Sequence, residues 1–225
     1  MHIYLDTGNV EEIKAGVATG TIDGVTTNPT LIAKEGRDFE TVIKEIATIF
    51  SKAGKKNYTV SAEVTAQDAT TMVKQALPLT RLAKNILIKI PLIPEGLKAI
   101  HLLSQRNIRT NATLCFSLNQ AILAAKAGAY VVSPFVGRLD DTGHDGMQLI
   151  QQIRTVYDRY SFSTKILTAS VRHPLHVTQA ALAGTDIITL PYAVFQKLIR
   201  HPLTDAGNKR FLADWSAYLS AKKQS

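Results

Sequence analysis

The sequence predicts an eightfold parallel β/α barrel followed by an extra C-terminal helix. Short apolar segments that resemble strands alternate with amphipathic, helix-like segments along the whole chain. Eight such units average about 28 residues each, close to the roughly 250-residue size of this architecture. A doubly wound sheet is the alternative, but the first turn, LDTGNVEE, lacks the glycine-rich pattern common in that fold. We therefore expect a barrel domain over residues 1–202 and a helical extension over residues 203–225.

The predicted strands are short and rich in aliphatic and β-branched residues. They cover residues 3–6, 24–27, 59–64, 86–90, 108–113, 130–133, 165–170 and 186–190. Amphipathic stretches such as 39–54 and 118–129 lie between them. Because alternating strands and helices form parallel sheets, the carboxyl ends of all eight strands should meet at one end of the barrel.

A second helical segment follows a helix near residues 192–200. In this segment Phe211, Trp215 and Leu219 recur every four residues and form one apolar face. The face either covers the barrel of its own chain or packs on a neighbouring subunit, and the pattern favours neither.

Composition and charge indicate which kinds of partner the protein binds. The chain has 225 residues, a net charge of +8 and one cysteine, Cys115. Such a charge favours anionic partners, either phosphorylated metabolites or nucleic acid, but no zinc-finger spacing or RNP-like strand is present. No signal peptide and no apolar run of about 20 residues occur. We expect a cytoplasmic protein that binds small molecules and neither nucleic acid nor membrane.

Strand parity places polar side chains on one face. In the strand 86–90, Leu87 and Lys89 share one side because successive side chains point to opposite faces. The same alternation groups other polar residues at the carboxyl ends of strands: Asp6, Thr26, Asn28, Glu63, Asn111, Thr113, Ser133, Thr168 and Ser170. In β/α barrels that end carries the active site. If these faces point inward, they form a reaction chamber.

Each member of this set also has an ordinary structural explanation. A lysine at a strand end is more often ion-paired than nucleophilic. Asp6 and Asn28 could cap the helices that follow them, and the step from Asn28 to Pro29 is typical of a helix start. The whole collection favours function, because packing does not require an acid, a base and an amine to converge from several strands.

The residue types indicate Schiff-base chemistry. Burial of Lys89 among Leu and Ile side chains disfavours its charged form and yields an amine that can attack a ketone. The resulting protonated Schiff base is an electron sink, so neither a metal nor an organic cofactor is required. Asp6 and Glu63 are candidate proton acceptors.

Arg138 and Arg172 follow strands six and seven, where loops commonly bind phosphate, although a salt bridge from Arg138 to Asp140 or Asp141 is the simpler alternative.

Seven segments resemble the transaldolase family in matching order from about residue 1 to residue 216. They are LDT (5–7), GVTTNPTLI (24–32), SAEV (61–64), IKIP (88–91), TNATLCFS (110–117), SPFVGRLDD (133–141) and TASVR (168–172). The likeness is greatest to the small, single-barrel branch, which also contains the fructose-6-phosphate aldolases. The resemblance implies transfer of a dihydroxyacetone unit between sugar phosphates in the pentose phosphate pathway, in homo-oligomers such as pentamers or decamers.

The resemblance also implies roles for the site residues. Lys89 would form the Schiff base, Asp6 would deprotonate the C4 hydroxyl, and Glu63 and Thr113 would hold a catalytic water. The residues matching the dihydroxyacetone site are Asn28, Asn111 and Ser133. Those matching the phosphate site are Arg138, Ser170 and Arg172.

Two positions separate the branches of the family. The fructose-6-phosphate aldolases carry Gln where this chain has Glu63, and Tyr where it has Phe135. Phe135 cannot protonate an enamine, so transaldolase is the predicted activity and the aldolase is the alternative.

A metal-dependent aldolase would need clustered ligands, and the close pair His173 and His176 is better interpreted as a helix start. A basic, non-catalytic nucleic-acid binder would leave the polar strand ends unexplained.

Overall fold

The strands of the protein form one closed sheet in a computed structural model that describes residues 1–222. They are β1 (His2–Asp6), β2 (Gly24–Thr26), β3 (Thr59–Glu63), β4 (Ile86–Pro91), β5 (Thr110–Cys115), β6 (Val131–Pro134), β7 (Lys165–Thr168) and β8 (Ile187–Leu190). All neighbours are parallel and follow chain order, and β8 pairs with β1. The predicted eightfold β/α barrel is confirmed.

Helices follow every strand and surround the barrel. They are α1 (Val10–Ala18), α2 (Pro29–Glu35), α3 (Phe39–Lys52), α4 (Ala69–Leu79), α5 (Pro94–Ser104), α6 (Leu118–Ala127), α7 (Val136–Asp140), α8 (Gly146–Arg159), α9 (Pro174–Leu182), α10 (Tyr192–Leu198) and α11 (Pro202–Lys222). None of the helices in this part of the chain combines the length and the apolar character needed to cross a membrane.

The fifth strand departs most from its predicted bounds. It was expected over 108–113 but begins at Thr110, because Asn107 adopts the left-handed backbone conformation (φ +57°) and ends the preceding turn. It then continues past a β-bulge between Ala112 and Cys115, in which Leu114 has φ +60°. A bulge of this kind adds one residue to a strand and redirects the side chains that follow it.

Two apolar layers lie on either side of the sheet. Ile86, Ile88 and Ile90 belong to the large core between strands and helices, whereas Leu87 belongs to a smaller cluster inside the barrel. The parity predicted for β4 is therefore correct. The inner cluster also includes Tyr4, Val131, Leu167, Ala169 and Ile187. The barrel interior is thus partly filled by apolar side chains, and the polar site lies at its carboxyl end.

The last described helix does not cover its own barrel. None of the described residues of α11 is buried, and Phe211, Trp215 and Leu219 are 72%, 59% and 42% exposed. Of the two alternatives for this apolar face, packing on the barrel of the same chain is therefore wrong. The last three residues of the predicted extension, 223–225, lie outside the described part of the chain.

Candidate active site

A cavity of about 200 Å³ opens at the carboxyl ends of the strands. Most of the predicted site residues line it: Asp6, Asn28, Lys89, Ser133, Phe135, Arg138, Ser170 and Arg172. The remaining predicted residues, Glu63, Asn111 and Thr113, do not line this cavity. The predicted convergence of an amine, an acid and two guanidinium groups on one space is present.

Lys89 is buried near the end of β4 and is held by two oxygen atoms. Only 5% of the residue is exposed. Its Nζ lies 2.9 Å from Glu63 Oε2 and donates a hydrogen bond to the Thr27 carbonyl at 3.1 Å. The pair forms because Glu63 and Lys89 are register partners on β3 and β4. The lysine is therefore ion-paired and also faces the cavity, with a carboxylate placed to accept its proton.

Asp6 is held by a chain of hydroxyl groups. Thr26 Oγ1 donates to Asp6 Oδ1 at 2.7 Å, and Thr189 Oγ1 lies 2.7 Å from Thr26 Oγ1. Because Thr26 has a single hydroxyl hydrogen, Thr189 is the donor in the second bond. Burial raises the pKa of Asp6, while Lys89 and the Thr26 hydrogen bond act in the opposite direction. Asp6 does not cap α1, because Asn9 occupies that position.

Thr189 was missed as a site residue, although it lines the cavity. Thr26, which parity groups with Asn28, also lines the cavity but was given no role in the sequence analysis. The strand positions of both residues could have indicated this from the sequence. Thr26 shares a strand face with Asn28, and Thr189 is the single polar residue of β8.

Asn111 lies in a buried hydrogen-bonded chain between two serines. Its amide Oδ1 accepts from Ser133 Oγ at 2.6 Å, and its Nδ2 donates to Ser61 Oγ at 3.3 Å. This chain orients Ser133, which reaches the cavity. Thr113 Oγ1 is buried and has no hydrogen-bond partner in the described part of the protein. A buried hydroxyl of this kind is suited to bind water.

Asn28 has both of the roles considered for it. Its Oδ1 accepts from the Leu31 backbone N–H at 2.9 Å, and Pro29 occupies the first position of α2. The helix-capping interpretation is therefore correct, and the residue also lines the cavity. Capping fixes the side chain in one orientation, because the bond to the helix end involves its carbonyl oxygen.

The two arginines have different surroundings. The Arg138 guanidinium lies 5.1 Å from the centre of the Phe135 ring and has no ion pair within residues 1–222. Arg172 Nη2 forms an exposed salt bridge with Asp141 Oδ2 at 2.7 Å. The alternative that paired Arg138 with Asp140 or Asp141 is therefore wrong. A cation without a carboxylate partner retains its capacity to bind an anion.

The two close histidines belong to a helix start, as predicted. His173 caps α9 by accepting from the His176 backbone N–H, and Pro174 begins the helix. Within residues 1–222, no three His, Cys, Asp or Glu side chains are grouped so that they could hold a metal ion.

Comparison with solved structures shows the fold. A structure described as native KDPGal has a TM-score of 0.58 and 17% identity, with coverage of 84% of this chain and 81% of that one. Thiamine phosphate pyrophosphorylase from Pyrococcus furiosus has a TM-score of 0.60 and 14% identity, with coverage of 88% and 93%.

Comparison with sequences shows the family. A probable transaldolase from Leptospira biflexa is 55% identical, covering 95% of this chain and 97% of that protein. One from Methanococcus maripaludis is 56% identical, covering 98% and 100%. The family model described as transaldolase/fructose-6-phosphate aldolase matches residues 3–224. The chain belongs to the transaldolase/fructose-6-phosphate aldolase family.

Proposed function

We propose that this chain is a transaldolase that works through a Schiff base on Lys89. It would convert sedoheptulose 7-phosphate and glyceraldehyde 3-phosphate into erythrose 4-phosphate and fructose 6-phosphate, in the pentose phosphate pathway of the cytoplasm. The observation that carries this proposal is Lys89 itself, an amine that is 5% exposed, faces a polar cavity and lies 2.9 Å from the carboxylate of Glu63. No cofactor takes part in the proposed steps.

The first step is formation of the Schiff base. Glu63 accepts a proton from the Lys89 ammonium, and the neutral amine adds to the C2 carbonyl of the ketose. Loss of water from the carbinolamine gives the iminium ion. Glu63 returns its proton to the carbinolamine hydroxyl, which then leaves as water. The unpartnered hydroxyl of Thr113 is suited to bind a second water that carries this proton.

The second step breaks the bond between C3 and C4. Asp6 takes the proton from the C4 hydroxyl, the C3–C4 electron pair moves into the iminium to give an enamine, and the aldose leaves as an aldehyde. Thr26 is the one hydrogen-bond donor to the Asp6 side chain in the described chain, so the second carboxylate oxygen is free to accept this proton. The reverse sequence with another aldehyde completes the transfer.

The residues proposed to bind substrate fall into two sets, and most of them line the cavity. Asn28 and Ser133 are placed to bind the hydroxyl groups of the dihydroxyacetone unit, with Asn111 orienting Ser133. Arg138, Ser170 and Arg172 are placed to bind the phosphate of the aldehyde part. Arg172 would share its guanidinium between the phosphate and Asp141, since its five N–H donors allow both.

Phe135 should decide between transfer and release. A phenylalanine has no proton to give to the enamine, so the wild-type chain should release little dihydroxyacetone from fructose 6-phosphate alone. Erythrose 4-phosphate should then start rapid formation of glyceraldehyde 3-phosphate. Phe135→Tyr introduces an acid, and we expect it to raise the release of free dihydroxyacetone by on the order of 10²-fold. Coupled assays of both products measure this.

The matched control is Phe116→Tyr. Phe116 contacts Phe135 edge to face, with ring centres 5.8 Å apart, but does not line the cavity. The control should leave release of dihydroxyacetone unchanged. The wild type could also release free dihydroxyacetone without an acceptor aldehyde as fast as it transfers the unit when an acceptor is present. That result would identify an aldolase instead.

The apolar face of α11 supports a homo-oligomer, and we propose that this helix packs on a neighbouring subunit. Phe211, Trp215 and Leu219 are exposed on the described chain, although apolar side chains of this size are usually buried. Light scattering should give the mass of a pentamer or decamer, and Trp215→Glu should reduce it. A wild-type monomer at micromolar concentration would contradict the proposal.

A further inference from the structure

A buried histidine lies directly behind the residues proposed to bind phosphate. His176 is in the first turn of α9 and is 4% exposed. It does not line the cavity, and none of the proposed steps uses it. A buried ionisable side chain of this kind is retained only where its hydrogen bonds are satisfied, so its partners indicate its role.

Both ring nitrogens of His176 have a partner, and the two partners belong to different segments. Nδ1 accepts a hydrogen bond from the backbone N–H of Arg172 at 3.3 Å, and Nε2 lies 2.9 Å from Asp140 Oδ2. These two bonds require a lone pair on Nδ1 and a hydrogen on Nε2. The geometry therefore defines one neutral tautomer of the ring.

The two segments are the ones that carry the proposed phosphate ligands. Asp140 ends α7, which contains Arg138, and Arg172 belongs to the loop after β7. Near the cavity, Gly137 N–H donates to the Ser170 carbonyl at 3.1 Å. The Arg172–Asp141 salt bridge also joins these segments, and His176 adds a further connection from the side of α9. Ser170 has φ +61°, a conformation that persists only where surrounding contacts hold it.

The charges around His176 keep it neutral. Burial lowers the pKa of His176, the neighbouring ring of His173, with its centre 3.8 Å away, acts in the same direction, and Asp140 acts against both. Arg172 also faces the ring and adds a smaller effect that lowers the pKa further. The lone pair of Nδ1 is thus available to Arg172 near neutral pH.

We propose that His176 is a positioning residue for phosphate recognition, because its neutral ring connects the Arg172 backbone to α7 and so fixes the distance between the two guanidinium groups. This inference rests on the proposed function in one respect, the assignment of Arg138, Ser170 and Arg172 to phosphate. His176 itself touches no substrate.

Two amide variants separate the two hydrogen bonds. In His176→Asn the amide oxygen takes the place of Nδ1 and can still accept from Arg172. In His176→Gln the amide nitrogen takes the place of Nε2 and retains only the bond to Asp140. The matched control is His173→Asn, which keeps an oxygen acceptor at the cap of α9 and removes the ring next to His176.

The readout is binding of phosphate, measured by titration with inorganic phosphate and by the KM for fructose 6-phosphate. His176→Gln and His176→Asn each lose one of the two bonds that connect the segments, so each should weaken both by about 10-fold, the effect of losing one hydrogen bond that orders the site. The kcat should change little, and activity on unphosphorylated fructose should not change. His173→Asn should bind phosphate as the wild type does. Unchanged phosphate affinity in either His176 variant, or an equal loss in His173→Asn, would overturn the proposal.

A measurement on the unmodified chain does not depend on how the variants fold. The ¹⁵N resonances of His176 should show the neutral ring with hydrogen on Nε2 near neutral pH, and they should shift when inorganic phosphate is added. A protonated ring, hydrogen on Nδ1, or resonances insensitive to saturating phosphate would reject the positioning role.

Trapping of unphosphorylated dihydroxyacetone on Lys89 with borohydride separates this inference from the proposed function. No adduct in the wild type would remove the transaldolase proposal. A normal adduct in His176→Gln together with unchanged phosphate affinity would remove only the role of His176.

Discussion

Lys89→Met is expected to abolish both the covalent intermediate and the activity. Methionine has nearly the same length but no amine, so no Schiff base can form with the ketose. Removal of a nucleophile of this kind lowers kcat by on the order of 10⁴- to 10⁶-fold. Borohydride reduction in the presence of fructose 6-phosphate, followed by peptide mass mapping, should place the adduct on Lys89 in the wild type and detect none in the variant.

A second substitution at the same position separates chemistry from stability. Lys89→Met leaves Glu63 without its ion-pair partner, which lies 2.9 Å away in the wild type, and this change should lower stability by about 1–3 kcal/mol. Lys89→Arg keeps a positive charge for Glu63 but cannot form a Schiff base, because guanidinium is not deprotonated in proteins. It should be folded and inactive. Lys98→Met, on the exposed side of α5, is the control.

An adduct found on a lysine other than Lys89, or full activity in either variant, would end the proposal. An inactive Lys89→Arg that unfolds cooperatively at a temperature near that of the wild type would support it most directly.

Asp6→Asn is expected to lose activity while gaining stability. The amide cannot accept the C4 proton, so kcat should fall by about 10²- to 10⁴-fold, the usual contribution of a general base. The amide oxygen still accepts from Thr26, so the hydrogen-bonded chain to Thr189 is preserved. Asn also removes a buried charge, and this should raise the free energy of unfolding by on the order of 1–2 kcal/mol.

The sign of the pH dependence follows from the raised pKa of Asp6. The unfolded state releases this proton at a lower pH than the folded state does, so the folded state binds more protons between the two values. The stability associated with Asp6 is complete below the ordinary aspartate range and is lost as pH rises through the folded-state pKa. The advantage of Asp6→Asn should therefore be small in acid and largest near neutral pH.

Thermal unfolding of both chains across this pH range measures the difference. Asp205→Asn, an exposed residue of α11, serves as the control for activity. A stability difference that is independent of pH, or one that shrinks as pH rises, would contradict the argument. So would an Asp6→Asn chain with the activity of the wild type.

The architecture was predictable because its signals are local. The period of two in a strand and of 3.6 in a helix depend on neighbouring residues, and this alternation places Leu87 and Lys89 on one face of β4. The same parity brought Asp6 and Ser133 to the cavity. The assignment of roles to these residues remains a prediction, which the experiments above test.

The sequence by itself determined the barrel, the inward face of β4 and the end at which polar groups collect. The parity prediction for β7 was wrong for Thr168, because Leu167 and Ala169 face the barrel interior there. The sequence could not determine which of the polar groups touch, since partners such as Lys89 and Glu63 are 26 residues apart and meet only through the register of β3 and β4. Tertiary structure alone decided that Arg172 pairs with Asp141 while Arg138 lies on Phe135. The physical reason is that backbone alternation is a property of each strand, whereas contacts between side chains depend on how strands and helices close around one another.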